Sequence, residues 1–315
     1  MKKILVFALL CVFFVSCGGE EETLANLSSI PSSAVETDSL ADITDLNSFN
    51  VYEEEAVVME TRATGDVHTF TNCDQTGQTG PSQAQCNTAY AGTPLNGKVT
   101  VTSGIQYWTV PVTGKYKIEG YGAQGARNGG LGARIIGEFD LTAGEIIKIV
   151  VGQQGSAGTN DTYTGGGGGG GSFVVRFPYN TNASIAVVAG GGGGYTNFGV
   201  TTTMNGRSST DGGDTNNDGG GNSGNGGNSG LTDGPAAGGG GFFTDGTNGN
   251  YGDVLPVGGK SFINGAVGGT EGHNTGHIGG DGGFGGGGGG LNNSFNRSGG
   301  GGGYSGGQGG TWDGQ

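Results

Sequence analysis

The sequence predicts an all-β fold, an antiparallel β-sandwich with an appended bundle of polyglycine II helices. Three observations carry this expectation. Between residues 98 and 189, roughly seven apolar, β-branched segments recur with turn residues between them, the pattern of a sandwich. Seven consecutive glycines, 165–171, run straight into the strand-like stretch Ser172-Phe-Val-Val-Arg-Phe177, and Ile185-Ala-Val-Val-Ala189 runs in mirror order into glycines 190–194. Between residues 98 and 189 no helix of any length is expected.

The glycine content makes the second observation decisive. The chain holds 78 Gly and 7 Pro in 315 residues, a share that usually marks an aperiodic sequence as low-complexity. Further runs stand at 238–241, 285–290 and 299–303. A flexible tail is the rival reading, but a tail would not interleave strands with its glycines. Glycine loses the most backbone entropy on folding, so a glycine tract orders only against strong compensation. Outward-pointing N–H and C=O groups of a polyproline II backbone can supply it by bonding to neighbouring chains, and only glycine allows neighbours on every side.

Taken from its start, residues 1–16 read as a lipoprotein signal peptide: Met1-Lys2-Lys3, then an apolar run too short to span a bilayer. It ends in Val15-Ser16-Cys17, which resembles the bacterial box in which the cysteine is diacylated; ordinary cleavage near Ser16 is the alternative. Two acyl chains anchor stably where one is marginal. Gly18-Gly19-Glu20-Glu21-Glu22 resembles the acidic tether of surface-routed lipoproteins, so the expected location is the outer membrane, facing the cell exterior. Residues 17–65 form an acidic stalk: between 20 and 60 there are 11 Asp or Glu and no Lys or Arg, a composition that self-repels and buries no core. Asp38-Ser39-Leu40 within it resembles a bacterial O-glycosylation site.

The whole chain carries −14 at neutral pH, and no basic stripe suits it to nucleic acid. Of four cysteines, Cys11 leaves with the signal and Cys17 takes the lipid, so Cys73 and Cys86 remain as a disulfide pair in an oxidising compartment. The sandwich is expected over 66–189, with strands near 98–102, 105–110, 116–121, 133–139, 145–151, 172–177 and 185–189 and a glycine insertion at 165–171. Trp108, Tyr107, Phe139 and Phe173 are expected to fill its core. Residues 190–315 are expected to form the polyglycine bundle.

Phe70-Thr-Asn-Cys73-Asp, Gly80-Pro-Ser-Gln-Ala-Gln-Cys86-Asn-Thr-Ala-Tyr90, Gly104-Ile-Gln-Tyr-Trp108, Gly120-Tyr-Gly-Ala123 and Ile149-Val-Val-Gly-Gln-Gln-Gly155 stand in order ahead of the glycine tracts. This series resembles the glycine-rich ectodomain region of the anaplastic lymphoma kinase and leukocyte tyrosine kinase receptors, with Gly282-Gly-Phe-Gly285 supporting it late in the chain. The resemblance implies a tumour-necrosis-factor-like jelly roll carrying long polyglycine helices, and in that family the region binds a small protein cytokine. The kinase lysine, the catalytic Asp–Asn loop and the metal-binding Asp are missing. Nothing of the family's enzymatic name therefore transfers. The resemblance also implies a further strand returning to the sheet beyond Gln315, so either the chain is a truncated product or the sandwich keeps an open slot, and the Trp312 end is expected near the sheet.

Few motifs carry chemistry. Asp214-Thr-Asn216-Asn-Asp218-Gly219 fits the first half of a calcium loop, but Asn225 stands where the bidentate acid belongs, so calcium is the only cofactor considered and a chance match competes with it. His273 and His277 lie four apart without a helix to align them. Gly303-Tyr-Ser-Gly-Gly307 fits a nucleophile elbow in spelling alone. The expectation is a non-catalytic, surface-anchored module for adhesion or for recognition of an extracellular protein or glycan, with Tyr195, Asn205, Phe242 and Tyr251 marking two contact loops. The alternative is a structural envelope or matrix protein that self-associates through its glycines.

Overall fold

A computed structural model describes residues 55–62, 64–159, 165–196, 202–214, 219–230, 235–274, 276–292 and 297–310. The expectations at Cys17, the stalk up to residue 54, Asn216, Asp218 and Trp312 lie outside these residues. No helix among the described residues is long and apolar enough to cross a membrane.

Nine strands form two antiparallel sheets. One has the order β2 (Val67–Thr71), β1 (Ala56–Thr61), β5 (Gly114–Tyr121), β6 (Arg134–Leu141). The other runs β3 (Val99–Thr102), β4 (Ile105–Thr109), β7 (Ile146–Val150), β8 (Ser172–Val175), β9 (Ile185–Ala189). The seven expected strands are all present to within two residues at most ends. Two more, β1 and β2, precede them, so the fold begins inside the stretch assigned to the stalk. Val57 and Met59 of β1 are wholly buried; the alternation in Ala56-Val-Val-Met-Glu-Thr61 places them inward. A short helix, α1 (Gln83–Ala89), was also not expected. Its start carries a capping box, in which the Ser82 side chain accepts from the Gln85 N–H and Gln85 Oε1 accepts from the Ser82 N–H at 2.7 Å.

The sandwich core collects Val57, Met59, Phe70, Trp108, Tyr116, Ile118, Ile147, Ile149, Val174 and Val187. Trp108 lies edge-on to Phe70 and Tyr116 at 5.7 and 6.1 Å between ring centroids. Two expected core aromatics sit elsewhere. Phe173 faces the opposite side of its sheet, because alternate residues of β8 point to opposite faces, and it joins a second core with Ile105, Val150, Val175, Phe242, Phe262, Ala266 and Phe284. Tyr107 packs at the rim of that second core. β8 is thus buried on both faces along its whole length, which explains its unbroken apolar character.

The second core is roofed by the glycine lattice, and tract 165–171 is its centre. The N–H groups of Gly166 and Gly169 bond to Tyr195 O and Gly192 O; those of Gly167 and Gly170 to Ser156 O and Gln153 O; those of Gly168 and Gly171 to Gly288 O and Gly285 O. Every third residue therefore addresses the same neighbour, as a helix of three residues per turn requires. The carbonyls repeat the pattern toward three other segments. Gly167 and Gly170 accept from Ala126 and Ala123, Gly165 and Gly168 from Gly280 and Gly283, and Gly166 and Gly169 from Gly299 and Gly302. One polyglycine helix has six neighbours, with N···O distances of 2.8 to 3.1 Å.

Three of those neighbours, containing Ala123, Gln153 and Gly192, continue directly from sandwich strands. The boundary expected at residue 189 is consequently not a seam: sandwich and lattice interweave within one compact unit spanning Val51–Gln315. The run 285–290 is also not one straight helix. Gly285 and Gly286 have φ of 102° and 84°, left-handed values that reverse the chain after Phe284 and that only glycine adopts freely.

Candidate functional site

The residues that carry the family resemblance are structural. Cys73 and Cys86 form the expected disulfide, 13 residues apart in sequence and 5.0 Å between Cα atoms. The Tyr90 hydroxyl donates to Gln106 Oε1 at 2.6 Å, accepts from the Thr71 N–H at 3.0 Å, and Gln106 Nε2 donates to Thr71 O at 2.8 Å. This buried network ties the end of β2, the end of helix α1 and β4 together, so Cys73, Cys86, Tyr90, Gln106 and Trp108 hold the sandwich and present nothing outward.

Catalytic motifs dissolve in the same way. The Ser305 hydroxyl donates to Thr210 O and accepts from the Gly224 N–H at 3.1 Å, which makes it a backbone staple of the lattice. His68 is 4% exposed in the sandwich core, its ring 5.0 Å from that of Trp108. His273 and His277 lie on the two strands of a hairpin, β10 (Gly272–Asn274) and β11 (His277–Ile278), whose register pairs neither with the other. Asp214 borders a shallow groove of about 70 Å³ beside Arg207, Asp211 and Tyr304. Among the described residues no three His, Cys, Asp or Glu side chains gather as a metal site would.

The expected contact loops are only partly available. Phe242 is fully buried, stacked on Phe262 at 5.0 Å with a 7° interplanar angle. Asn205 is held by accepting from the Leu131 N–H at 2.8 Å. Tyr251 remains 47% exposed.

Among the described residues the most exposed large apolar one is a residue that sequence reading placed in a strand. Phe177 is 77% exposed, at the start of the turn joining β8 to β9. The outer face of the five-stranded sheet explains its setting. The row Val150–Phe173–Val188 is covered by the lattice. The next row, Tyr107–Lys148–Val175, lies at the lattice edge. There the Lys148 ammonium sits 4.4 Å from the Tyr179 ring centroid and 5.4 Å from that of Tyr107, in cation–π range of both.

Tyr179 is fixed in this position. Its backbone is left-handed, φ 70°, its N–H bonds to Arg176 O, and its hydroxyl donates to Ile146 O at 3.0 Å. Burial, with Tyr107 and Glu145 nearby, pushes that hydroxyl above its ordinary pKa, so it stays a donor. The Phe177 ring stands edge-on to it at 5.7 Å and 87°. Arg176 closes the far side through two bonds to Glu145, Nε to Oε1 at 2.6 Å and Nη2 to Oε2 at 3.2 Å, a bidentate fork. The product is a ridge of Ile146, Phe177 and Tyr179 bordered by Lys148, Arg176 and Glu145. Its sequence signal was the aromatic spacing in Arg176-Phe-Pro-Tyr179, hidden because the apolar strand pattern runs on through residue 177.

A cleft of about 410 Å³ lies between α1 and the β3–β4 turn, lined by Thr79, Pro81, Ser82, Gln85, Val101 and Ser103. Ser82 and Gln85 at its mouth bond to each other in the capping box, so its walls serve the helix start.

Compared with known proteins, the chain is similar in part to a receptor: it is 38% identical over 95 residues to the leukocyte tyrosine kinase receptor of Mus musculus. The match takes in 27% of this chain and 11% of the receptor. No protein-family model matches the chain. The likeness accords with the sequence series described above and reaches a small fraction of the receptor's length.

Proposed function

We propose that the chain is a lipid-anchored, surface-displayed binding module of the bacterial outer membrane, non-catalytic, with its glycine lattice serving as a rigid mount. The acylated Cys17 holds it to the membrane, the acidic stalk lifts it, and the β8–β9 ridge meets an extracellular protein or glycan. One observation carries this reading: an aromatic side chain that is mostly exposed stands on a turn whose backbone, hydroxyl and flanking ion pair are all fixed. A contiguous exposed apolar patch rimmed by polar residues is the kind of surface that marks an interaction site, and a preorganised ridge loses little ordering entropy on binding.

The test has two parts. Cys17→Ser is expected to move the protein from the detergent phase to the aqueous phase, and protease added to intact cells is expected to clip the stalk and release the body. Retention in the detergent phase, or complete protection on intact cells, would overturn the location; binding that is indifferent to Phe177 would overturn the ridge.

A further inference from the structure

We infer that the ridge around Phe177 is a carbohydrate site that takes the C–H face of a hexopyranose ring; this rests on the binding-module reading above and names the ligand class. A pyranose presents axial C–H bonds on one face and hydroxyls around its edge. The C–H hydrogens carry slight positive charge and are drawn to the negative face of an aromatic ring, while the hydroxyls need partners. The ridge supplies both. Phe177 and Tyr179 offer rings set edge-on to each other, so a sugar laid on the Phe177 face meets the second aromatic at its rim.

Around those rings stand groups suited to hydroxyls. The Lys148 ammonium, 4.4 Å from the Tyr179 ring centroid, has three N–H donors. Arg176 engages Glu145 through Nε and Nη2, so its Nη1 group is not part of that fork, and the Glu145 oxygens can accept as well as hold the arginine. Lys148 and Arg176 against the single Glu145 give the ridge a local positive balance on a chain of net −14, which suits neutral or acidic sugars and disfavours amino sugars bearing free ammonium groups. The apolar strip consists of three side chains, Ile146, Phe177 and Tyr179. A protein interface needs roughly 800 Å² per partner with an apolar centre, whereas a strip of three side chains ringed by charges matches one or two sugar rings.

The test is saturation-transfer NMR on the mature full chain, with methyl glucopyranoside, methyl galactopyranoside, N-acetylglucosamine and methyl glucuronide as separate probes at millimolar concentration. Saturation is expected to reach the ring C–H protons of at least one probe. The affinity for that probe, read from a saturation-transfer titration, should fall about tenfold in Phe177→Ala, equivalent to about 1.4 kcal/mol. The melting temperature of that variant is expected to match the parent, because the ring is exposed, so a folding defect would be visible separately. No transfer from any of the four probes overturns the inference, as does transfer that Phe177→Ala leaves unchanged. If the chain ignores all four sugars but binds a purified protein partner in a Phe177-dependent way, the carbohydrate inference fails and the binding-module reading stands. If no ligand depends on Phe177, both fail.

Discussion

A single methyl group at residue 168 tests whether the glycines are packed or merely tolerated. A Cβ built there would stand 2.1 Å from Gly300 O and 2.9 Å from Gly299 O. Ordinary contact would require the 299–302 segment to retreat by more than 1 Å. That segment is held by Gly299 N–H to Gly166 O at 2.9 Å, Gly300 N–H to Ala237 O at 3.0 Å and Gly302 N–H to Gly169 O at 3.0 Å. Losing two of these leaves buried groups unpaired at about 1–3 kcal/mol each, so Gly168→Ala should destabilise by about 2–6 kcal/mol. For a body of this size that lowers the melting temperature by about 4–24 °C. The control lies in the adjoining tract. At Gly193 the nearest atom to an added Cβ is Met204 O at 3.6 Å, so Gly193→Ala should be neutral or stabilise by up to about 1 kcal/mol through the unfolded state. Thermal and urea unfolding of both variants decides it. An unchanged melting temperature for Gly168→Ala, or equal losses at both positions, would refute the lattice.

Three further outcomes are expected. Replacing Cys73 and Cys86 by alanine should cost about 3 kcal/mol by the loop-closure estimate, read as a lower urea midpoint that reducing agent reproduces in the parent. Acid should weaken the fold through His68: burial holds its pKa below the ordinary 6.5, with Lys98 also lowering it and Asp66 opposing. The unfolded chain then binds the extra proton, so this contribution is whole above about pH 6.5 and is lost as pH falls through the folded value; His68→Gln should flatten that limb in a urea series. Glu55 acts with the opposite sign. Burial pushes its carboxyl up to about 7, against hydrogen bonds from Asn72 and the Gln154 backbone, so its contribution is whole below about pH 4.5 and is lost as pH rises through about 7. Glu55→Gln should remove the alkaline limb.

What the sequence disclosed, and what it withheld, follows from the range of each interaction. Strands β3 to β9 were legible because alternation and turn residues are local signals. β1 was masked by its surroundings: eleven acidic residues averaged over 20–60 outweighed four apolar ones in 56–59. α1 was short enough to escape a periodicity search, although Ser82-x-x-Gln85 announced its first turn. The glycine tracts were readable as ordered, since strands abut them, but their partners were not. Polyglycine II pairing depends on a three-residue phase that a run of identical residues leaves blank, so nothing local says that Gly168 meets Gly288 while Gly169 meets Gly192.

The ridge was harder to read for a different reason. Ser172-Phe-Val-Val-Arg-Phe177 reads as one strand, yet β8 ends at Val175 and Phe177 turns outward. Phe173 and Phe177 share a composition and differ in fate because the lattice covers only the first. Phe242 shows the converse: a glycine-flanked aromatic that looks like loop decoration is core, since Phe262 and Phe284 reach it from distant tracts.

Glycines 166–171 form a rigid element, bonded through every N–H, on which the ridge is mounted, and amide hydrogen exchange probes it. The N–H groups of Gly166 to Gly171 each have a backbone partner inside the lattice, so they should be among the last in the chain to exchange, with protection close to that of β8 and approaching the global unfolding limit. Exchange of this tract at the rate of an unstructured glycine peptide, while β8 stays protected, would contradict the account.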